Sequence, residues 1–264
     1  MDLGLSGKRA LLLAATGGLG FAAAQGLSQE GVSVCVSGSD AGRAREAAAR
    51  ISAETGGLAV GLGGDLSDPA NMDVLADAAE AALGGPIDIL FCNHGGPPLR
   101  TALEVSANEL AQHANRMLFS QIRMVQRIVP GMQERKWGRV IMVGAAGISE
   151  PIPNNVLSNT YRTGLAFYMK TLAGEVVRDG VTVNVVSPVA VLTDRTRYTA
   201  AALGEKKGVT AEQELADREA RLPAGRFGRT SEFAATVCFL AGQEAGYLTG
   251  ANWRVDGGSA KSLG

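Results

Sequence analysis

The residues best suited to chemistry in this chain form a glycine-rich turn near the N-terminus. An apolar run at 11–13 leads into residues 14–20, which include three glycines, and an alanine-rich segment follows. This order is typical of a buried strand that passes into a helix. Glycine lets the backbone approach a phosphate closely, and the free N–H groups and dipole of the helix N-terminus favour its negative charge. The turn predicts a pyrophosphate site formed by Ala15, Thr16, Gly18, Leu19 and Gly20.

Polar residues follow three later apolar segments, where parallel strands would end. In segment 64–68 an aspartate can accept a hydrogen bond from an adenine amino group, and the next backbone N–H can contact the ring. The Asn-x-Gly sequence at 93–95 can form a tight turn against a ribose. Segment 187–193 is a rigid connection that follows the sixth predicted strand and can face a nicotinamide carboxamide. The further cofactor-binding residues predicted here are Asp65, Leu66, Asn93, Gly95, Pro188 and Thr193.

Strand-like and helix-like segments alternate along the chain and must position these residues. The predicted strands are 9–14, 32–37, 58–62, 87–92, 140–143, 181–187 and 253–255. The predicted helices are 19–30, 40–54, 69–83, 106–135, 155–178 and 231–241. Alternation of this kind requires crossover connections, and strands that are apolar throughout are covered on both faces. The sequence predicts a doubly wound α/β fold with a seven-stranded, mainly parallel sheet and helices on both faces.

The only long interruption of this alternation is segment 193–222. We expect one domain over residues 1–264, with this excursion at the carboxyl edge of the sheet, where ligands bind in such folds. The excursion would then shape the substrate pocket as a lid. Arg195 and Arg197 lie in it and can bind an anionic substrate, although a solvated helix face is the alternative.

Composition restricts the possible partners and compartments. The formal net charge is −1 without a basic run, so no nucleic-acid partner is expected. The apolar runs have the length of strands, so no membrane span is predicted. Cys35, Cys92 and Cys238 stand in apolar contexts and are predicted to be buried thiols in a reducing cytoplasm. Neither these cysteines nor the two histidines predict a metal site.

The C-terminal pattern gives these motifs a family context. Thr249 and Gly250 precede a Val-Asp-Gly-Gly sequence at 255–258. With the turn and loops above, this pattern resembles the short-chain dehydrogenase/reductase family, in particular its 3-oxoacyl-acyl-carrier-protein-reductase-like branch. The resemblance covers nearly the whole chain. It implies a Rossmann-like fold, an NAD(P) cofactor, and a small-molecule or acyl-carrier-linked substrate. It also implies a homo-oligomer, a tetramer or dimer, formed through two long helices and the C-terminal segment.

The chain departs from the family where catalysis takes place. Members carry Tyr-x-x-x-Lys on the helix after the fifth strand, Ser at that strand's end and Asn on the preceding helix. Aligned without a gap, these four positions are Ser158, Arg162, Ala145 and Met117. An aliphatic hydroxyl is a weaker acid than a phenol, and alanine donates no hydrogen bond to an oxyanion. Arg162 can still donate to a hydroxyl of the nicotinamide ribose and is a predicted cofactor contact. Arginine is a permanent planar cation, however, and does not replace lysine in full.

Nearby residues are candidates to replace the missing groups, and each has a structural alternative. Tyr161 is a phenol beside the arginine but points elsewhere around the helix, so a core or interface role competes. Ser158 can hold the substrate oxygen or serve in packing. His94 and His113 can titrate in the cleft or be satisfied structural histidines, and Ser149 can contact substrate. The predicted catalytic residues are Ser158, Arg162 and Tyr161.

The end of the second strand bears on the choice between NAD and NADP. Gly38 stands where an acid would bind the ribose hydroxyls of NAD, and Ser39 stands where a base would bind the phosphate of NADP. Arg43 lies near enough to accommodate that phosphate, whereas Asp40 opposes it. We favour NADP over NAD on this pattern.

Two functions from different classes are compatible with these residues. The first is an NAD(P)-dependent oxidoreductase that acts on a carbonyl or alcohol with an atypical active site, because hydride chemistry belongs mainly to the cofactor. The second is a dinucleotide-binding protein without redox activity, such as a sensor, a partner subunit or a non-redox catalyst. A protein that binds no cofactor is the remaining alternative.

Overall fold

A computed structural model describes residues 1–262 and contains one sheet of seven strands. The strands run β1 Arg9–Leu12, β2 Ser33–Gly38, β3 Ala59–Gly63, β4 Ile89–Cys92, β5 Gly138–Val143, β6 Val181–Pro188 and β7 Asn252–Val255. Their spatial order is β3-β2-β1-β4-β5-β6-β7, and every neighbouring pair is parallel. The predicted seven-stranded sheet is confirmed, and within the described residues it is wholly parallel.

Helices cover both faces of the sheet. They run α1 Gly18–Gln29, α2 Ala41–Thr55, α3 Asn71–Leu83, α4 Ala107–Ala114, α5 Ser120–Glu134, α6 Val156–Val176, α7 Asp194–Lys207, α8 Ala211–Glu219 and α9 Thr230–Ala241. One apolar cluster joins α3, α5 and α6 to one face, with Met72 and Leu165 fully packed. A second joins α1, α2 and α9 to the other face, with Leu27 and Phe233 at its centre. The doubly wound α/β architecture is confirmed.

The order of the strands places a crevice between β1 and β4. From β1 the chain proceeds outward to β2 and β3, then returns to the other side of β1 as β4. Such a reversal separates the loops at the carboxyl ends of the two central strands, and ligands of open α/β sheets bind there. The glycine turn follows β1, and the Asn93 loop follows β4. The fold therefore brings two of the predicted motifs to this crevice.

The predicted helix 106–135 is divided in the structure. Helix α4 ends at Ala114, a π-helical turn covers Asn115–Phe119, and α5 begins at Ser120. A π turn inserts a residue into a helix and often lies at a functional site. Apolar periodicity did not show this insertion, because the pattern on either side of the turn remains helical. The turn contains Met117, at the position of the family's asparagine.

Several other boundaries differ from prediction by one or two residues, and two of these differences have a local cause. The first strand ends at Leu12 rather than at 14, because Ala14 adopts a left-handed conformation with φ of +47°. The third helix begins at Asn71 rather than at 69. The Asp68 carboxylate accepts a hydrogen bond from the N–H of Ala70 at 2.9 Å, so it stabilises a turn before the helix rather than capping it.

Segment 193–222 contains helices α7 and α8. The buried carboxylate of Glu214 on α8 lies 2.8 Å from Nζ of Lys207 on α7 and 2.8 Å from Nε of Arg218. Arg218 also donates to the carbonyl oxygen of Thr199 at 3.3 Å. These contacts fasten the two helices to each other, so the excursion is a folded helical pair.

Membrane-spanning helices, metal sites and the state of the cysteines can each be examined in residues 1–262. Within 1–262, no helix is long and apolar enough to cross a membrane. No group of three or more His, Cys, Asp or Glu side chains in this part of the chain is placed to hold a metal ion. Cys35, Cys92 and Cys238 are buried and unpaired, and burial raises the pKa of each thiol to about 12. These thiols are therefore protonated packing residues.

Candidate active site

The N-terminus of α1 is open to an anion. Its N-cap residue is Gly17, no side chain caps the first turn, and no acidic residue lies within that turn. The backbone N–H groups are therefore left for a ligand, and the helix dipole favours a negative one. A Cβ atom at Gly20 would lie 2.7 Å from Cα of Ala15, and Gly18 has a φ of +56°. The turn has the space for a pyrophosphate that approaches backbone atoms. The side chain of Leu19 packs against the second apolar cluster, so its backbone N–H is a candidate donor.

Asn93 joins the loop after β4 to this turn. Its Nδ2 donates to the carbonyl oxygen of Ala14 at 2.9 Å, and its own carbonyl accepts from Nε2 of Gln121 at 3.1 Å. Ala14 adopts a left-handed conformation in this turn, with φ of +47°. Nothing lies within 4 Å of a Cβ placed at Gly95, so the backbone of this residue is free for close approach.

The end of β2 lies beside the glycine turn. A Cβ at Gly38 would lie 2.6 Å from Cγ2 of Thr16, so the two segments pack closely. Ser39 is exposed at this edge. Asp40 caps α2, its carboxylate accepts from the N–H of Arg43 at 3.0 Å, and this bond holds the pKa of Asp40 below its usual range. The carboxylate is thus occupied by the helix that it caps.

The end of β3 contributes Asp65 and Leu66. The Asp65 carboxylate accepts from Oγ of Ser67 at 2.6 Å and from its N–H at 2.9 Å. These bonds lower the pKa of Asp65, which remains ionised and exposed at the crevice edge. Leu66 is buried, and its carbonyl oxygen accepts from Oγ of Ser120 at 2.7 Å. An exposed carboxylate next to a fixed backbone is suited to an amino group of a base.

Thr193 lies across the crevice from the glycine turn. It caps α7, and its Oγ1 accepts from the N–H of Thr196 at 3.2 Å. Its Cβ and Cγ2 atoms lie 3.9 Å from a Cβ placed at Gly18. Pro188 ends β6 just before this segment. The structure therefore brings the predicted residues of the first turn and of the sixth strand to opposite walls of one crevice.

The tyrosine and lysine positions of the family lie on α6. Ser158 is 5% exposed, and its hydroxyl makes no hydrogen bond to any residue within 1–262. Arg162 is buried, and its Nη1 donates to the carbonyl oxygens of Val143 and Gly144 at the end of β5. Burial lowers the pKa of Arg162 to about 10, so the guanidinium stays charged at neutral pH. The site thus holds an unused hydroxyl beside a buried cation.

Tyr161 faces away from these groups. Its hydroxyl donates to the carbonyl oxygen of Leu110 on α4 at 2.7 Å, and burial raises its pKa above the usual value. The phenol connects two helices and its proton is engaged in that contact. This placement matches the structural alternative that the sequence left open for Tyr161.

Both histidines have an unpaired buried nitrogen. His94 is 5% exposed, its Nδ1 lies 2.8 Å from the carbonyl oxygen of Gly95, and its Nε2 has no partner. Nδ1 of His113 likewise has none. Burial, and then the charge of Arg162, holds the pKa of His94 well below 6.5, and burial lowers that of His113. Both imidazoles are neutral near pH 7, and because Nδ1 of His94 donates to the Gly95 carbonyl, its Nε2 is an unpaired acceptor.

The remaining family positions carry small or apolar side chains. Met117 is fully buried in the π-helical turn. Ala145, at the serine position, lines a small cavity of about 60 Å³ together with Ser149 and Ser187. The methyl group of Ala145 offers no hydrogen bond to a substrate oxygen.

Sequence reasoning missed one contact of this site. Arg195 at the start of α7 donates from Nη1 to the carbonyl oxygen of Gly96 at 3.1 Å and from Nη2 to that of Pro97 at 3.0 Å. A Cβ at Gly96 would lie 2.3 Å from Cζ of Arg195, so the guanidinium packs directly against the backbone of Gly96 and a larger residue there would displace it. The Gly-Gly-Pro sequence at 95–97 was the available signal, since glycine often marks a close approach.

Comparisons with known proteins agree with this geometry. A family model described as Enoyl-(Acyl carrier protein) reductase matches residues 13–260. The 3-oxoacyl-[acyl-carrier-protein] reductase of Haemophilus influenzae is 30% identical over 96% of this chain and 98% of its own.

Solved structures give the same result. L-sorbose reductase from Gluconobacter frateurii, complexed with NADPH and L-sorbose, superposes on this chain with a TM-score of 0.94 at 28% identity. The superposition covers 100% of both chains. A 3-oxoacyl (acyl-carrier-protein) reductase from Agrobacterium tumefaciens with NADP bound has a TM-score of 0.88 at 29% identity, over 97% of this chain and 96% of its own. This chain belongs to the short-chain dehydrogenase/reductase family, as the resemblance in its motifs predicted.

Proposed function

We propose that this protein is an NADP(H)-dependent reductase of carbonyl compounds with an atypical active site. The observation that carries the proposal is the uncapped N-terminus of α1 beneath a turn in which Gly18 and Gly20 leave room for a pyrophosphate. Thr193 faces this turn from the opposite wall. The solved relatives described above with NADPH or NADP bound support the same cofactor class.

The end of β2 favours NADP over NAD. Ser39 and Arg43 are exposed there and free to meet an extra phosphate. The only carboxylate among these neighbours belongs to Asp40, and it is engaged as the N-cap of α2. No acidic side chain among residues 36–39 stands ready to bind the two ribose hydroxyls of NAD.

The remaining predicted residues divide into cofactor and substrate contacts. Arg162 would donate to the nicotinamide ribose from the part of its guanidinium that does not bond β5. Ser158, whose hydroxyl has no partner among the described residues, would hold the substrate oxygen. When bound, NADPH supplies the hydride. The buried charge of Arg162 would stabilise negative charge that develops on the oxygen. We assign no proton transfer to Tyr161, because its hydroxyl is bonded to α4.

The same proposal covers the organisation of the chain. Residues 1–264 act as one dinucleotide-binding domain, and 193–222 serve as the lid over the substrate. The substrate is a small molecule or is linked to an acyl carrier, as in the 3-oxoacyl reductases to which the chain is similar. We propose a homo-oligomer, in which α5, α6 and the C-terminal segment form the contacts.

A second function is favoured by a specific observation. None of the four positions at which the family carries its catalytic groups holds one of those groups here: they are Met117, Ala145, Ser158 and Arg162. A protein that binds the dinucleotide as a sensor, partner subunit or non-redox catalyst would tolerate this loss. It would bind NADPH without exchanging hydride.

Calorimetric titration with NADPH and NADH tests the proposal first. We expect NADPH to bind more tightly, and Arg43→Ala to weaken NADPH while NADH is unaffected. The absence of binding by either dinucleotide from the folded protein would refute both functions. Oxidation of NADPH at 340 nm with a panel of ketones then separates them, because only the reductase consumes the cofactor.

A further inference from the structure

Arg162 is a buried cation without an anionic partner. Its Nη1 bonds two backbone carbonyls, whereas its Nε and Nη2 make no hydrogen bond with residues 1–262. No carboxylate within 4 Å pairs with it in the described chain, unlike Arg127, which pairs with Asp77 and Glu80. Burying a charge without a counterion is costly, and carbonyl dipoles offset that cost only in part.

A second guanidinium, that of Arg195 at the start of α7, lies near Arg162. Arg195 lies against Gly96 and is fixed by the carbonyls of Gly96 and Pro97. It is close enough to Arg162 for its charge to lower the pKa of the latter further. Two of its five N–H groups are used in these bonds, so the others remain for a ligand.

The groups around this pair do not neutralise it. His94 and His113 are neutral near pH 7, and Arg116 adds a third positive charge beside them. Within residues 1–262 no carboxylate forms an ion pair with either guanidinium, and the carboxylates that act on Arg116 and His113 are engaged in other hydrogen bonds. Asp65 accepts from Ser67, and Glu109 is held by its own helix N-terminus and by Arg100: its carboxylate bonds Ser106 and lies 2.8 Å from that guanidinium.

We propose that the substrate of this site is an oxo acid, whose carboxylate is bound by Arg195 in the field of the buried Arg162. The inference rests on the proposed reductase function and specifies its substrate class. In the reaction, the carbonyl carbon gains a hydride and NADPH becomes NADP⁺. The carbonyl oxygen gains a proton that solvent delivers past Ser158, and the carboxylate is unchanged. Charge-assisted pairs between guanidinium and carboxylate are among the stronger polar contacts in proteins.

The chain offers a matched control on the same helix. Arg197 lies two residues after Arg195, is exposed, and has no side-chain hydrogen bond within the described residues. Arg195→Gln and Arg197→Gln remove the same formal charge from α7. Arg195→Lys keeps the charge but loses the planar guanidinium. This variant is the control for a loss of binding in Arg195→Gln that comes only from loosening of the loop at 95–97.

The test is calorimetric binding to the protein saturated with NADPH. The probes are 2-oxobutanoate, acetoacetate and levulinate, each compared with its methyl ester. Binding is measured by calorimetry where no turnover occurs, and by the fluorescence of NADPH otherwise. We expect at least one acid to bind about 10- to 100-fold more tightly than its ester. Arg195→Gln should abolish that preference, Arg195→Lys should retain part of it, and Arg197→Gln should leave it unchanged.

Two results would overturn the inference while leaving the reductase proposal intact. One is equal binding or reduction of acids and esters by protein that holds NADPH. The other is an equal loss of preference in Arg195→Gln and Arg197→Gln, which would reflect the general field of α7 rather than a site. Failure of the protein to bind NADPH in the first titration would instead reject the proposed function itself.

Discussion

The exposed N–H groups of α1 predict that one substitution will raise stability and weaken cofactor binding together. Gly17 is the N-cap residue, its backbone is extended with φ of −166° and ψ of 175°, and a Cβ there would meet no atom within 4 Å. An aspartate side chain at this position is therefore sterically and conformationally allowed. Other helices in this chain already use side-chain caps of this kind, among them α2 with Asp40 and α4 with Ser106.

The two effects of Gly17→Asp can be estimated from the same geometry. Aspartate exceeds glycine as an N-cap by a few tenths of a kcal/mol, and its charge at a helix N-terminus adds about 0.3–1 kcal/mol. The free energy of unfolding should therefore rise by about 1 kcal/mol. A carboxylate about 4 Å from a pyrophosphate charge costs about 4 kcal/mol at an effective dielectric constant of 20. Even half of that repulsion weakens NADPH binding by ~30-fold.

Urea unfolding and calorimetric titration with NADPH measure the two effects separately. Gly17→Asn is the matched control, because it caps the helix with nearly the same shape and carries no charge. We expect the Asn variant to gain a few tenths of a kcal/mol and to lose NADPH affinity far less than the Asp variant. If Gly17→Asp binds NADPH as tightly as the parent protein, the pyrophosphate does not lie at α1. If Gly17→Asp has a lower free energy of unfolding than the parent protein, the first turn of α1 does not lack a cap.

Three further predictions concern the substrate side of the crevice. Tyr161→Phe removes the hydrogen bond to Leu110, so urea unfolding should show a loss of about 1 kcal/mol while calorimetry shows unchanged NADPH binding; a large loss of turnover alone would instead support an acid role. His94 stays neutral when folded but takes up a proton near pH 6.5 when unfolded, so the free energy of unfolding should fall as the pH drops below about 6.5. Denaturation between pH 5 and 7 should show a shallower fall in His94→Gln, and identical slopes would contradict the burial of a neutral imidazole. The double variant Ser158→Tyr/Arg162→Lys should raise ketone reduction, followed at 340 nm, by about 10-fold or more if the site is a reductase that lost its acid, whereas no gain would favour the non-redox function.

Local sequence was sufficient for the fold and for the edge of the sheet at which the candidate cofactor loops lie. The alternation of strands and helices is a property of short segments, and the end of each strand fixes where the next loop must lie. The turn at 14–20 and the loops containing Asp65, Asn93 and Thr193 therefore met at one edge of the sheet as the sequence predicted. The sequence did not predict the π-helical turn Asn115–Phe119, because one inserted residue barely alters the periodicity of apolar residues along the helix.

The substrate side depended on contacts between residues far apart in the chain. Sequence spacing placed Tyr161 beside Arg162, but the hydroxyl of Tyr161 bonds Leu110, 51 residues earlier. Arg195 meets Gly96 across 99 residues. The sequence alone thus determined which groups are present and which family groups are missing, since residue types and their spacing are local facts. Only the tertiary structure decided which donors are already satisfied, because burial and hydrogen-bond partners arise from the packing of distant elements.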